Sequence, residues 1–268
     1  MALLVALLAA WILGCGVVVA LGHLVRVTHR GRPLRLSAEA VACWARESAT
    51  HALLLPMRPM GWLPTARPGA GRAHPVLLVP GYLMNRSCWH FLATWLRGRG
   101  WDRVYAMDNR PFNGRVELFA EQLEREVQAL CASTGSETVD LVAHSMGGVI
   151  AAHWILHHGG ASRVRRLVTL GSPLGGTRMA VFALLREGQD LYPEAPVIRG
   201  LDRLPVDAIH LWSEQDHLVI PSENATPPWA GRSRRLPWMG HLEMLTNLRA
   251  FRAVGEALRE PWPTEGEE

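Results

Sequence analysis

Short apolar runs alternate along the chain with longer segments in which apolar residues recur at helical spacing. The short runs end at glycine, proline or polar residues, which is typical of buried strands. The longer segments place their apolar residues in one stripe, as in residues 117–133, and this predicts helices packed on a core. Strands that alternate with helices predict a mostly parallel sheet covered on both faces.

The same pattern gives approximate bounds for each element. Six strands are predicted, at residues 76–82, 104–108, 139–145, 165–173, 208–216 and 233–241. Helices are predicted at residues 37–55, 88–100, 117–133, 146–158 and 242–258. Residues 75–260 are therefore expected to form one catalytic-size domain, interrupted at about 174–205 and followed by a tail, 261–268.

The N-terminus carries a different pattern, because residues 1–25 contain no charged side chain. The run is long enough to cross a bilayer core, which needs about 20 apolar residues. It lacks the basic start of a signal peptide and exceeds the usual signal length, so an uncleaved anchor is favoured, although a signal peptide or a lipoprotein signal at Cys15 stays an alternative. A helix and a linker, residues 26–74, follow it.

The charges next to this run predict its orientation. Four arginines follow the apolar run and none precedes it: Arg26, Arg30, Arg32 and Arg35. The positive-inside rule then places the following domain on the cytoplasmic side of a membrane, here taken as a bacterial inner membrane.

Composition excludes several functional classes. The chain is 49% hydrophobic and 19% charged, which is typical of a folded globular domain. Its net charge is +4 and its arginines are scattered, so nucleic-acid binding is not expected. No glycine-rich phosphate loop, CxxC or HExxH motif occurs, and neither a cofactor nor a metal is predicted. The four cysteines permit either disulfides or buried free thiols.

The stretch AHSMG, residues 143–147, joins a predicted strand to a predicted helix without loop residues. Small residues, Ala143 and Gly147, flank Ser145 two positions away on each side, as a sharp bend requires. Such a bend directs the Ser145 hydroxyl out of the sheet. It also leaves the Met146 N–H at a helix N-terminus, where it can bind an anion.

This bend resembles the nucleophile elbow of the α/β-hydrolase family, specifically its bacterial lipase- and esterase-like members. Alanine stands where the usual pattern has its first glycine. The resemblance covers roughly residues 75–258 and implies an α/β-hydrolase fold with a short cap at 174–205. It also implies that Ser145 is the nucleophile of a Ser-Asp-His triad whose acid and histidine follow it in the chain.

Six histidines follow Ser145: His153, His157, His158, His210, His217 and His241. The first three are on the helix that leaves the elbow, His210 is within a strand, and His217 is interpreted as a loop residue. His241, after the last strand, matches the family position of the base. Asp216, followed by Leu-Val-Ile-Pro after an intervening His217, matches the position of the acid, with Glu214 as the reserve and Asp108 as a weaker third choice.

The resemblance further implies an oxyanion hole made of backbone N–H groups. One donor is Met146, and the other is Tyr82 in the loop after the first strand, where Pro80-Gly81 replaces the more usual His-Gly. In the cap, Met179, Phe182 and Leu185 are candidates for an acyl-binding cleft, although packing on the core is an equal alternative.

Together these features predict a membrane-anchored serine hydrolase that cleaves hydrophobic or lipid-like carboxylic esters. Acyltransferase and thioesterase activities use the same triad and stay open. A non-catalytic membrane-bound interaction protein of the same fold is the alternative from another class, and the intact Ser-Asp-His order counts against it.

Overall fold

A computed structural model describes residues 2–30, 37–62, 74–183 and 186–260. The predicted tail, 261–268, and most of the predicted linker, 63–73, lie outside these residues, as do Arg32, Arg35 and Leu185. Six parallel strands form one sheet in the order β2-β1-β3-β4-β5-β6. They are β1 (Val76–Val79), β2 (Val104–Ala106), β3 (Val139–His144), β4 (Val164–Leu170), β5 (Asp207–Trp212) and β6 (Ser233–Arg235). The expected parallel sheet is confirmed.

Helices cover both faces of this sheet. The α-helices are α1 (Ala2–Arg30), α2 (Ala38–Leu54), α3 (His90–Arg97), α4 (Val116–Thr134), α5 (Met146–His157), α6 (Arg186–Gln189), α7 (Pro196–Arg199) and α8 (Leu248–Arg259). Short 3₁₀ helices are Arg58–Trp62, Arg86–Trp89, Gly160–Ser162, Arg178–Phe182, Ser222–Ala225 and Leu242–Leu245. One core lies between the sheet and α4 and α5, and the other lies between the sheet and α3 and α8.

Burial on both faces explains why the central strands β1 and β3 are largely apolar without alternation. All six residues of β3 are buried, because Leu141 faces the α4–α5 core and Val142 faces the α3–α8 core. Packing on both faces therefore fixes the positions of the carboxyl ends of the central strands. In open parallel sheets, ligands bind at these carboxyl ends.

Every strand is shorter than its predicted bounds, and the largest differences from the predictions are in three elements. The last helix begins at Leu248 and not at Leu242, because the Asn247 side chain caps it by accepting a hydrogen bond from the Arg249 N–H. Strand β6 ends at Arg235, since Pro237 has no N–H to continue the ladder. The predicted helix 88–100 divides into a 3₁₀ turn and α3. All four cysteines are free and buried, as in the free-thiol interpretation.

The two N-terminal helices pack against each other and against the sheet domain. Ser37 caps α2 by accepting from the Ala40 N–H at 3.2 Å, which confirms the predicted helix start. Helix α1 contains one segment, Ala10–Thr28, that is long and apolar enough to cross a membrane. Its last turns reach the domain, where Arg26 Nη1 donates to the Glu214 carbonyl at 2.6 Å.

Candidate active site

Ser145 occupies a strained bend between β3 and α5. Its backbone has φ 54° and ψ −128°, in the positive-φ range that residues with a side chain rarely adopt. A conformation of this kind costs about 1–3 kcal/mol and persists only where the surrounding structure enforces it. The strand-to-helix bend predicted for AHSMG is therefore confirmed.

Close packing around the bend explains its small residues. A Cβ on Gly147 would lie 2.3 Å from the Val79 carbonyl oxygen. On the next residue, Gly148, it would lie 2.1 Å from Ser172 Oγ. Both distances are far below van der Waals contact, so α5 can approach the sheet only with glycine at these two positions.

The loop after β1 lies directly against the nucleophile position. A Cβ on Gly81 would be 2.9 Å from Ser145 Cβ and 3.1 Å from the His144 carbonyl oxygen. Tyr82, the next residue, is half-buried and packs on the α4–α5 core. This proximity is compatible with a Tyr82 N–H directed toward the reaction centre, and the oxyanion roles of Tyr82 and Met146 stay predictions.

Asp216 and His241 form a buried pair at the same edge of the sheet. His241 Nδ1 lies 2.7 Å from Asp216 Oδ2, and each side chain is 2% exposed. A carboxylate only accepts hydrogen bonds, so Nδ1 carries the proton and Nε2 is left as the acceptor. Asp216 Oδ1 accepts from the N–H groups of Leu218 and Val219 at 2.8 and 2.9 Å, which fixes the carboxylate.

Gly171 lies against this pair, and the residue before it is hydrogen-bonded to Ser145. A Cβ at Gly171, whose φ is +53°, would lie 2.9 Å from Asp216 Oδ2 and 3.2 Å from His241 Nδ1. The residue before it, Leu170, accepts a hydrogen bond from the Ser145 N–H at 2.9 Å. The fold therefore brings Ser145, Asp216 and His241 to one edge of the sheet. Their catalytic roles stay predictions.

The surrounding charges raise the pKa of His241. Burial alone lowers the pKa of His241, but the charge and hydrogen bond of Asp216, together with the charge of Glu47, raise the pKa above its usual value of 6.5. A second histidine, His144, lies beside it with ring centroids 4.6 Å apart, and its Nε2 donates to the His241 carbonyl at 3.1 Å. Burial holds the pKa of His144 well below 6.5, so this neighbour is neutral.

The other candidate acids are engaged elsewhere. Glu214 pairs with Arg235 at 2.7 Å on the surface. Asp108 accepts from the Arg86 N–H at 2.9 Å and pairs with Arg110 at 3.1 Å. Of the three acids considered, Asp216 is the one in contact with His241.

The other five histidines considered make different contacts. His210 is bonded to Thr169 at 2.9 Å between β5 and β4. His153 on α5 and His158 just after it contact Glu117, and His157 contacts the Gly200 carbonyl oxygen. His217 is completely buried, which the loop interpretation did not anticipate, and neither of its ring nitrogens has a hydrogen-bond partner among the described residues.

The cap residues have mixed environments. Met179 is half-buried and Phe182 is half-exposed in the 3₁₀ helix Arg178–Phe182, while Leu185 lies outside the described residues. Both alternatives for these side chains, acyl binding and core packing, stay open predictions.

Glu47 is a buried carboxylate on α2 that contacts the chain just after His241, and no sequence motif marks it as part of a site. In the described part of the chain, two clusters have ligand atoms within 4.8 Å of one another, the spacing a metal would need: Glu47 with His51 and His217, and Glu117 with His153 and His158. In the first cluster both Glu47 oxygens already accept backbone N–H groups, and His51 Nδ1 donates to the Glu47 carbonyl.

Comparison with known proteins gives a family match that spans most of the chain. A model of the "Alpha/beta hydrolase family" matches residues 76–265. A curated relative, a pimeloyl-[acyl-carrier protein] methyl ester esterase of Vibrio cholerae, is 32% identical over 103 residues. That match covers 38% of this chain and 38% of the relative, so the chain spans about two fifths of the relative's length.

Solved structures share the fold at low sequence identity. Lipase BlEst2 of Bacillus licheniformis in its mature form matches with a TM-score of 0.59 and 18% identity, over 73% of this chain and 96% of that one. Lipase B of Aspergillus fumigatus matches with a TM-score of 0.61 and 18% identity, over 75% and 56% of the respective chains. The expected fold class is confirmed.

Proposed function

The chain belongs to the alpha/beta hydrolase family, and from this premise we propose that it hydrolyses carboxylic esters with Ser145, Asp216 and His241. The observation that carries the proposal is the 2.7 Å contact between His241 and Asp216, beside a serine held at positive φ. A buried acid that orients a histidine next to a strained serine is the arrangement that activates an alcohol for acyl transfer.

Acylation begins when His241 Nε2 removes the Ser145 proton as Oγ attacks the ester carbonyl carbon. Asp216 keeps Nδ1 protonated and stabilises the imidazolium that forms. The negative charge moves to the carbonyl oxygen, which the N–H groups of Met146 and Tyr82 bind. His241 then gives its proton to the leaving alcohol. Water, activated by the same histidine, releases the acid from the acyl-enzyme.

Hydrophobic esters are the proposed substrate class. The 3₁₀ helix of the cap exposes Val181 and Phe182, whose side chains are 66% and 50% accessible. The Vibrio cholerae relative is named for the methyl ester of a pimeloyl chain on acyl-carrier protein, which is a carboxylic ester of an acyl chain. Exposed apolar side chains on the cap favour acyl chains over sugars or peptides as substrates.

Helix α1 is proposed to anchor the enzyme in a membrane. The arginines that follow the span place the domain on the cytoplasmic side by the positive-inside rule. Its apolar segment Ala10–Thr28 supports the proposal by length and composition. Alkaline extraction of membranes from cells expressing the full chain tests it, because an integral anchor stays in the pellet and a cleaved signal does not.

Labelling with a fluorophosphonate tests the catalytic proposal. The purified full chain is expected to form a covalent adduct at Ser145, located by peptide mass spectrometry, and Ser145→Ala is expected to form none. A series of p-nitrophenyl esters of increasing acyl length then ranks the substrates. An unlabelled wild-type protein that is folded and hydrolyses no member of the series contradicts the proposed function.

A further inference from the structure

Helix α2 lies outside the region matched by the family model, yet it packs directly beneath the loop that carries His241. Glu47, in the middle of α2, is 1% exposed. A carboxylate is seldom buried so completely unless it is hydrogen-bonded or paired. The contacts of Glu47 therefore indicate what it does.

Both oxygens of Glu47 bind the backbone immediately after the histidine. The Leu242 N–H donates to Oε1 and the Glu243 N–H donates to Oε2, each at 2.8 Å. These two groups begin the 3₁₀ helix Leu242–Leu245, for which His241 is the N-terminal flanking residue. N–H groups at a helix start have no partner within the helix, so Glu47 supplies the acceptors that this turn needs.

Neighbouring side chains of α2 hold the same segment. Arg46 pairs with Glu243 at 2.6 Å and donates to the Trp238 carbonyl at 2.7 Å. One turn further along α2, the Thr50 hydroxyl lies 3.2 Å from the Thr246 hydroxyl. Helix α2 thus contacts the chain on both sides of His241.

Gly240 shows how closely the carboxylate approaches. A Cβ on Gly240 would lie 2.2 Å from Glu47 Oε2, so a side chain at this position and the Glu47 carboxylate exclude each other. The glycine before His241 therefore leaves room for Glu47 in addition to turning the chain.

The charge of Glu47 also reaches the histidine. Burial raises the pKa of Glu47 to about 7, although hydrogen bonds from Leu242 and Glu243 and the charge of His241 lower it. In return, the Glu47 charge is one of the influences that raise the pKa of His241. The titratable groups that influence or contact His241 are Glu47 and His51 on α2, His144 on β3, and Asp216 and His217 after β5.

We propose that Glu47 is a positioning residue for the triad, which holds the His241 loop through two backbone N–H groups and supplies the histidine with a second negative charge besides Asp216. The proposal rests on the proposed function, because it assumes that His241 is the base. Under this proposal, α2 contributes Glu47 to the catalytic site, although α2 lies outside the region that matches the hydrolase family.

Glu47→Gln in the full-length, detergent-solubilised enzyme tests the proposal. Glutamine has nearly the same shape, but it removes the charge and turns an amide N–H₂ toward a backbone donor. The loop then shifts, and a misplaced catalytic group can cost about 10²-fold in rate. We expect a loss of this size in kcat for p-nitrophenyl butyrate, with KM little changed. We also expect the acid limb of the kcat/KM–pH profile, which is the fall in kcat/KM toward low pH, to move to lower pH. The reason is that one negative charge that raises the pKa of His241 is gone.

Two further variants separate positioning from folding. Glu39→Gln, on the exposed face of the same helix, is the matched control and should keep the wild-type rate and pH profile. Glu47→Asp keeps the charge and should restore the acid limb, with an intermediate rate. All rates are divided by the fraction of protein labelled at completion by fluorophosphonate, so that misfolded molecules do not count.

Two results would overturn the proposal. One is a Glu47→Gln enzyme whose rate per labelled site and pH profile equal those of Glu39→Gln. The other is a set of variants in which only the labelled fraction or the thermal stability falls, while the low-pH side of the kcat/KM profile stays at the wild-type pH in every variant. A wild-type enzyme that neither labels nor turns over ester is a failure of the proposed function and is recognised before any Glu47 variant is compared.

Discussion

The two ends of the central sheet both bury charged groups, but with different partners. At the amino ends of the strands, Arg166 pairs with Asp207, and both are buried. At the carboxyl ends, Asp216 pairs with His241 and is equally buried. A guanidinium keeps its charge at every pH a protein tolerates, whereas an imidazole gains and loses a proton near neutrality.

The difference separates a structural end of the sheet from its proposed reactive end. Arg166 is fixed by the Asp207 carboxylate and by the Ala257 carbonyl of α8, so its bonds connect strands to a helix. His241 has one nitrogen fixed by Asp216 and the other left to accept a proton. Changes at the reactive end should therefore alter rate, and changes at the structural end should alter stability.

Ser145→Ala is expected to have the largest effect. Removing the nucleophile should lower kcat for p-nitrophenyl esters by roughly 10⁴–10⁶-fold, while the free energy of unfolding changes little. Kinetics and chemical denaturation of the same preparation measure both quantities. A mutant that turns over at the wild-type rate removes Ser145 from the mechanism.

Asp216→Asn is expected to have the next largest effect on kcat. Asparagine keeps the shape but presents either an N–H₂ or a neutral oxygen to Nδ1, so the histidine loses its fixed tautomer and kcat falls by about 10⁴-fold. Glu214→Gln, two residues earlier and on the surface, is the control and should leave kcat unchanged. Equal rates for the two variants would exclude Asp216 as the acid.

Asp207→Leu tests the structural end. It leaves Arg166 buried without its partner, and breaking such a pair costs about 3–5 kcal/mol in stability. Urea denaturation measures the loss, and kcat per labelled active site should stay close to that of the wild type. Glu256→Gln breaks an exposed pair with Arg234 and should cost about 0–1 kcal/mol. Similar losses of stability for Asp207→Leu and Glu256→Gln would contradict the burial of the Arg166–Asp207 pair.

The smallest expected effect is a pH dependence. Since the pKa of His241 is raised and the base must be neutral, the acid limb of kcat/KM should lie above pH 6.5. A raised pKa also means that the His241–Asp216 pair contributes stability below pH 6.5, which is lost as the pH rises through the folded-state value. Stability measured at several pH values checks this sign, and a limb below pH 6.5 would contradict it.

Local patterns were enough to predict the sheet and the bend. The central strands are largely apolar because helices cover both faces, and AHSMG marks the elbow because there is no room for a side chain at Gly147, two positions after Ser145. Strand β6 was predicted too long, since the apolar residues after Pro237 pack in a loop and do not extend the ladder.

Long-range packing explains what local patterns missed. Glu47 lies 195 residues before the backbone group that it binds, and nothing in the sequence around it distinguishes it from a surface carboxylate on a helix. His217 was interpreted as a loop residue because it follows Asp216, but α1 and α2 cover that loop and bury it. The environments of both residues depend on how α1 and α2 pack against the sheet domain.

The hydrogen bond from Arg26 to the Glu214 carbonyl has a consequence for how substrate reaches the enzyme. It joins the end of α1 to the chain two residues before Asp216, so α1 and the hydrolase domain are held together at this point. If α1 is the proposed anchor, the sheet edge that carries Ser145 keeps one height and one tilt above the lipid. An ester arriving from that membrane would then always meet this edge from the same direction.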